Sequence, residues 1–255
     1  TRSLQFRFDL TAFGQQSLFA GSRYCGARFS SFPWLIFRLR RNHIKAAPQQ
    51  PKAMEIDYIT LLKIENPPMD GWCSHKKACK IFDLIKEHKP KTCLEIGTFG
   101  GRSMVAIAFG LKHLGRGIVF GIDPWKIDAC LEGTNDKANN EWWAKLNWNE
   151  IISKYFDKLQ EFDVLEYVAH FRKHDTDCLD YFATGSIDMV HFDSNHSEEV
   201  ACRTVKDWWP KLKQGCVVIM DDIDWDGQKK AIKVMEELGI ETVEELHTYG
   251  IYIKR

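Results

Sequence analysis

The chain lacks several features that would announce common classes of protein. None of its eight cysteines (25, 73, 79, 93, 130, 178, 202, 216) stands in a C-x-x-C pair. Several lie in apolar runs, where a thiol behaves as a small buried hydrophobe. That pattern argues against structural zinc and disulfides and points to a reducing compartment. No apolar run approaches the 18 or more residues of a membrane helix. The dinucleotide fingerprint G-x-G-x-x-G is absent, as are internal repeats and low-complexity tracts. There is no net charge either, with 35 basic and 35 acidic side chains.

That balance conceals an asymmetry. Residues 1–53 carry nine Lys/Arg and one acid, Asp9, leaving 26 basic and 34 acidic side chains in the rest, a net of −8. So acidic a body does not suit non-specific nucleic-acid binding, which needs clusters that neutralise phosphate. The first 53 residues are rich in Arg, Ser and Phe. They read either as an organelle transit segment or as translated upstream sequence before a start at Met54. The domain is therefore expected over 54–255, in the cytoplasm unless the leader is a genuine import signal. At 255 residues, 44% hydrophobic and 27% charged, the chain has room for one well-buried α/β domain with a remainder.

Along that body, helices and buried strands alternate. A short helix is expected from Met54 to Asn66. Ser74 reads as the N-cap of a helix to His88 that presents Ala78, Ile81, Phe82 and Ile85 on one face. Strands follow at Thr92–Ile96, Gly117–Ile122, Val164–His170, Ser186–Phe192 and Cys216–Met220. A helix Gln228–Leu238 and two last strands, near Glu241–Val243 and at Tyr249–Lys254, close the chain. Between them, 126–150 is polar yet holds Trp142, Trp143 and Trp148, which read either as a lid or acceptor wall or as a packing helix under a loop.

The stretch Lys91–Val105, KTCLEIGTFGGRSMV, organises the rest. A strand runs into a glycine turn and then a helix start, so backbone can approach a ligand and free N–H groups face it. The first position of the turn is an acid, Glu95, which repels a pyrophosphate and suits a cationic or amino-bearing ligand. Asp123 ends the second strand, where a carboxylate reaches a ribose, or where Asp-Pro simply starts a turn. Ser186–Phe192 ends in Asp193 and Cys216–Met220 in Asp221-Asp222. A crossover helix makes these strands parallel, which brings three carboxylates to one sheet edge. Clustered acids repel unless a cation intervenes, and all-oxygen ligands suit Mg²⁺; the alternative is that some merely cap helices or start turns.

These stretches together resemble the class I S-adenosylmethionine-dependent methyltransferases of the "methyltransferase 24" type. The resemblance is carried by GWCS (71–74), LEIGTFGGRS (94–103), IDMVHFDSNHS (187–197), DWWPKLKQG (207–215) and VVIMDD (217–222). It implies a Rossmann-like, seven-stranded, mostly parallel sheet with helices on both faces. It also implies O-methylation of a small-molecule hydroxyl with S-adenosylmethionine and Mg²⁺. Cofactor binding would fall to Glu95, Gly97, Gly101, Ser103 and Asp123, with Asp175 near the adenine or acting as a helix cap. Asp193, Asp221 and Asp222 would hold the metal. His196 stands where catechol-type relatives place a lysine base, so it would be the base, with Asp193 beside it. His191 is expected to be structural. A Rossmann-type oxidoreductase and a non-catalytic cofactor-binding module remain the rival readings. No nucleic-acid partner or integral membrane segment is expected, and the oligomeric state is left open, a homo-oligomer included.

Overall fold

A computed structural model describes residues 58–65 and 69–255. The basic segment 1–53, with the readings placed on it, lies outside the described residues, as do residues 54–57 and 66 of the helix expected from Met54 to Asn66; the part described is helical from Tyr58 to Leu61 and 3₁₀ from Leu62 to Ile64. In chain order the strands are β1 (Thr92–Ile96), β2 (Ile118–Ile122), β3 (Val168–Phe171), β4 (Ile187–Phe192), β5 (Leu212–Asp221), β6 (Ile240–Glu245) and β7 (Tyr249–Lys254). The helices are α1 (Tyr58–Leu61), α2 (His75–His88), α3 (Arg102–Leu114), α4 (Ile127–Cys130), α5 (Lys137–Trp143), α6 (Trp148–Glu161), α7 (Glu198–Trp208) and α8 (Asp226–Leu238).

The strands form one sheet in the order β3-β2-β1-β4-β5-β7-β6. The first five run parallel, and β7 pairs antiparallel with both β5 and β6. The expected α/β architecture is therefore present. Two strand boundaries differ from expectation. Leu165–Tyr167 coils into a 3₁₀ turn, so β3 starts only at Val168. β5 reaches back to Leu212, which pairs with Ile187, four residues before its expected start at Cys216.

Alternation along each strand sorts the core into two layers, because successive side chains point to opposite faces. Cys93, Met189, Val217 and Ile219 pack with α2 and α3 on one face. Leu94, Val190, Val218 and Met220 pack with α7 and α8 on the other. Each fully buried Ile, Leu or Phe in these layers contributes roughly 1.5–3 kcal/mol. The same alternation places Glu95, His191 and Asp221 on the α2 side of the sheet. α2 itself starts as expected: the Ser74 hydroxyl accepts the Lys77 N–H at 3.2 Å, and Ala78, Ile81, Phe82 and Ile85 are buried.

The chain leaves β1 outward to β2 and β3, then crosses back to β4 and β5 on the other side. Such a reversal opens a crevice at the carboxyl ends of the central strands, the usual ligand position in open α/β sheets.

Candidate active site

A cleft opens at that reversal. The space within it, solvent mouth included, is about 1090 Å³, ample for a nucleoside-sized ligand and a small second molecule. The glycine turn forms its floor. Gly97 has φ +91°, and a Cβ there would overlap the Asp193 carbonyl; Gly101 has φ +76°, and a Cβ there would strike the Tyr155 ring. These glycines were expected to clear space for a ligand; they also clear space for the end of β4 and for α6. Phe99, between them, is held at φ +45°. Its N–H donates to Asp123 Oδ2 at 2.8 Å, and its carbonyl accepts Trp125 Nε1–H at 2.8 Å. Asp123 Oδ1 also accepts the Trp125 N–H, at 2.6 Å. Burial raises the Asp123 carboxyl above its ordinary value, opposed by these backbone donors. Asp123 thus ties the end of β2 to the glycine turn while still lining the cleft.

Of the residues singled out by sequence, Gly97, Gly101, Ser103, Asp123, Asp175, Asp193, His196 and Asp222 all line this one cleft. Glu95 and Asp221 do not. Glu95 is a correction: it was expected to face the cofactor, but strand alternation turns it into the interior. There it is fully buried, with Oε1 2.9 Å from His191 Nδ1 and Oε2 without a partner. Asp175 reaches the cleft at the start of a 3₁₀ turn. Its Oδ2 accepts from Trp208 Nε1 at 3.2 Å and Thr204 Oγ1 at 3.3 Å, so it also braces α7.

The acids at the ends of β4 and β5 divide into two groups. His196 Nε2 lies 3.0 Å from Asp222 Oδ2, and both face the cleft with Asp193. The three offer donor atoms within 4.8 Å of one another. Asp221, one residue earlier, points the other way and is ion-paired with the Lys77 ammonium. Burial would raise the Asp221 carboxyl, but the Lys77 ammonium paired with it helps to outweigh this and hold it below the usual carboxylate range. Burial, with Asp221 next to it, pushes Asp193 well above that range.

The expected all-carboxylate metal set, Asp193, Asp221 and Asp222, therefore does not fit a magnesium ion. Asp221 is withdrawn from the cleft and already holds a cation, while His196 and Asp222 satisfy each other. A sulfonium nucleoside fits the donor set better. The turn offers backbone donors, and Asp123 and Asp193 offer carboxyl groups for hydroxyls or an ammonium.

Aromatic rings wall the same cleft. Trp72, two-thirds exposed, stacks on Phe99 with centroids 5.4 Å apart, and Trp143 stacks on Trp148 at 5.9 Å. Of the tryptophans noted in the sequence, Trp143 and Trp148 line the cleft. Sequence reasoning missed Lys77 and Asn195. The Asn195 amide donates to the carbonyls of Ala129, Cys130 and Glu132 at 2.9–3.0 Å and so pins the segment that follows β2 over the site. Its only sequence signal was its place between Asp193 and His196.

Residues 94–223 match the family model described as a methyltransferase domain. No curated protein matches the chain. Solved structures that are similar include the O-methyltransferase TomG of Streptomyces achromogenes, determined with S-adenosylmethionine. The two are 17% identical with a TM-score of 0.53, over 80% of this chain and 92% of that one. An O-methyltransferase of Bacillus cereus bound to S-adenosylhomocysteine is 13% identical with a TM-score of 0.53, over 79% of this chain and 93% of that one. At such identities the likeness is one of fold. The family match covers half of the chain, and the chain belongs to this methyltransferase-domain family.

Proposed function

We propose that the chain is an S-adenosylmethionine-dependent O-methyltransferase acting on the hydroxyl of a small molecule. The observation that carries this reading is the His196–Asp222 pair, 3.0 Å apart, in the same cleft as the glycine turn.

When bound, the cofactor supplies an electrophilic methyl group and leaves as a neutral thioether. Gly97, Gly101 and Ser103 would bring the backbone and the start of α3 against it, and Asp123 would accept from the ribose hydroxyls. Asp222 accepts the proton on His196 Nε2, which leaves Nδ1 free to take the proton of the acceptor hydroxyl. The acceptor oxygen would take the methyl group in exchange for the carbon–sulfur bond. The walls contribute mainly by holding donor and acceptor in line and excluding water. Trp72, Phe99, Trp143 and Trp148 favour an acceptor with a flat apolar face.

The test is calorimetric titration of S-adenosylmethionine and S-adenosylhomocysteine, followed by methyl transfer from labelled cofactor to a panel of phenols and sugars. Binding plus transfer lost in His196→Ala supports the reading. Binding with transfer to an amine or carboxylate alone would replace it.

A further inference from the structure

Lys77 projects from the first turn of α2 into the sheet, among acids that the family resemblance would assign to a metal. It is 4% exposed. Its ammonium contacts Asp221 Oδ2 and lies 3.0 Å from His191 Nε2. Because an ammonium has only donors, Nε2 must accept. The His191 proton is then on Nδ1, 2.9 Å from Glu95 Oε1, which accepts it. At 3.7 Å, His191 Nε2 and Asp221 Oδ2 are too far apart for a hydrogen bond, so Lys77 is the bridge between them. The Tyr249 ring, 5.3 Å from Nζ, closes another side of the ammonium.

His191, Asp193 and Asp221 are one of two side-chain groups, among the described residues, whose donor atoms lie close enough to hold an ion. Lys77 already sits at two of its three members. A buried lysine is costly unless paired, and here the pairing is complete enough to hold its proton against burial: burial alone would lower its pKa, yet Asp221 and Asp193 raise it.

We propose that Lys77 is the resident cation of this acidic edge. It takes the place of a divalent ion at Asp221, so the inner group neither needs nor binds a metal. This goes beyond the methyl-transfer reading and holds whichever acceptor is used. The lysine comes from outside the matched segment 94–223. This feature thus belongs to α2 and not to the sheet motifs.

The test is metal binding and thermal unfolding of the full chain. Mn²⁺ and Mg²⁺ would be titrated by calorimetry, and melting followed in EDTA or in MgCl₂. The wild type should melt at the same temperature in both. Lys77→Met should melt several degrees lower in EDTA, bind one Mn²⁺ and recover in MgCl₂, whereas Lys77→Arg should stay indifferent to metal. A folded Lys77→Met with no metal response would overturn the proposal. Should Lys77→Met fail to fold, the wild type and Asp221→Asn decide. One Mn²⁺ bound by the wild type and lost in Asp221→Asn contradicts it. No Mn²⁺ in the wild type, or an ion retained in Asp221→Asn, supports it.

Discussion

Asp221 and Asp222 are neighbours in sequence but belong to two different regions. Asp221 ends β5 on the α2 face, buried against Lys77 and His191. Asp222, at φ +53°, turns out of the strand into the cleft and pairs with His196. The buried region satisfies its charges internally, and the cleft region leaves donors and acceptors open. Carboxylates gathered at a sheet edge are therefore not automatically one ligand set: Asp221 is taken up by Lys77 inside, while Asp193 and Asp222 line the cleft.

The difference can be broken from either side. The largest effect is expected from the cleft. His196→Ala should lower kcat roughly 10²–10⁴-fold, the usual cost of removing a general base, with an unchanged melting temperature. The buried side should behave inversely. Asp221→Asn leaves the Lys77 ammonium without its counter-charge and should cost about 3–5 kcal/mol in denaturant unfolding. Its affinity for S-adenosylhomocysteine should change less than that of Asp123→Ala. Asp123→Ala loses both the ribose acceptor and the brace on Phe99, so its affinity for S-adenosylhomocysteine should fall about 10- to 100-fold by calorimetry.

A smaller effect tests the α6 side. Burial pushes His170 down to about 4, beside the Tyr155 hydroxyl at 2.7 Å. An unfolded histidine titrates near 6.5. Between those values the unfolded chain binds more protons, so this residue's contribution is intact at pH 7 and is lost as the pH falls from about 6.5 toward 4. Melting temperature should drop across that window, and His170→Gln should flatten the drop. The smallest effect is expected at the mouth, where Trp72→Ala should raise the KM for a planar acceptor a few-fold and leave that for the cofactor unchanged.

Much of the fold was legible because its signals are local. Short, β-branched apolar runs such as Cys216–Met220 favour buried strands, and intervening amphipathic helices make them parallel. The glycine turn and most cleft residues followed from where those strands end. Glu95 was misplaced because its motif position suggested a ligand contact, although its alternation with Cys93 already turned it toward α2. Lys77 was beyond reach for another reason. It meets Asp221 across 144 positions of sequence, and on a helix wheel it reads as one more solvated lysine. His191 lies buried, as its alternation with Met189 on the α2 face requires. The aromatic wall was visible as tryptophans, but the stacking of Trp72 on Phe99 joins segments that only the fold brings together.

The most direct measurement is calorimetric titration of S-adenosylhomocysteine into the wild-type chain, Asp123→Ala and His196→Ala. One ligand bound per chain, weakened by Asp123→Ala and kept by His196→Ala, is the predicted result. No heat of binding in the folded wild type, with S-adenosylmethionine equally silent, would contradict it and return the cleft to a different ligand.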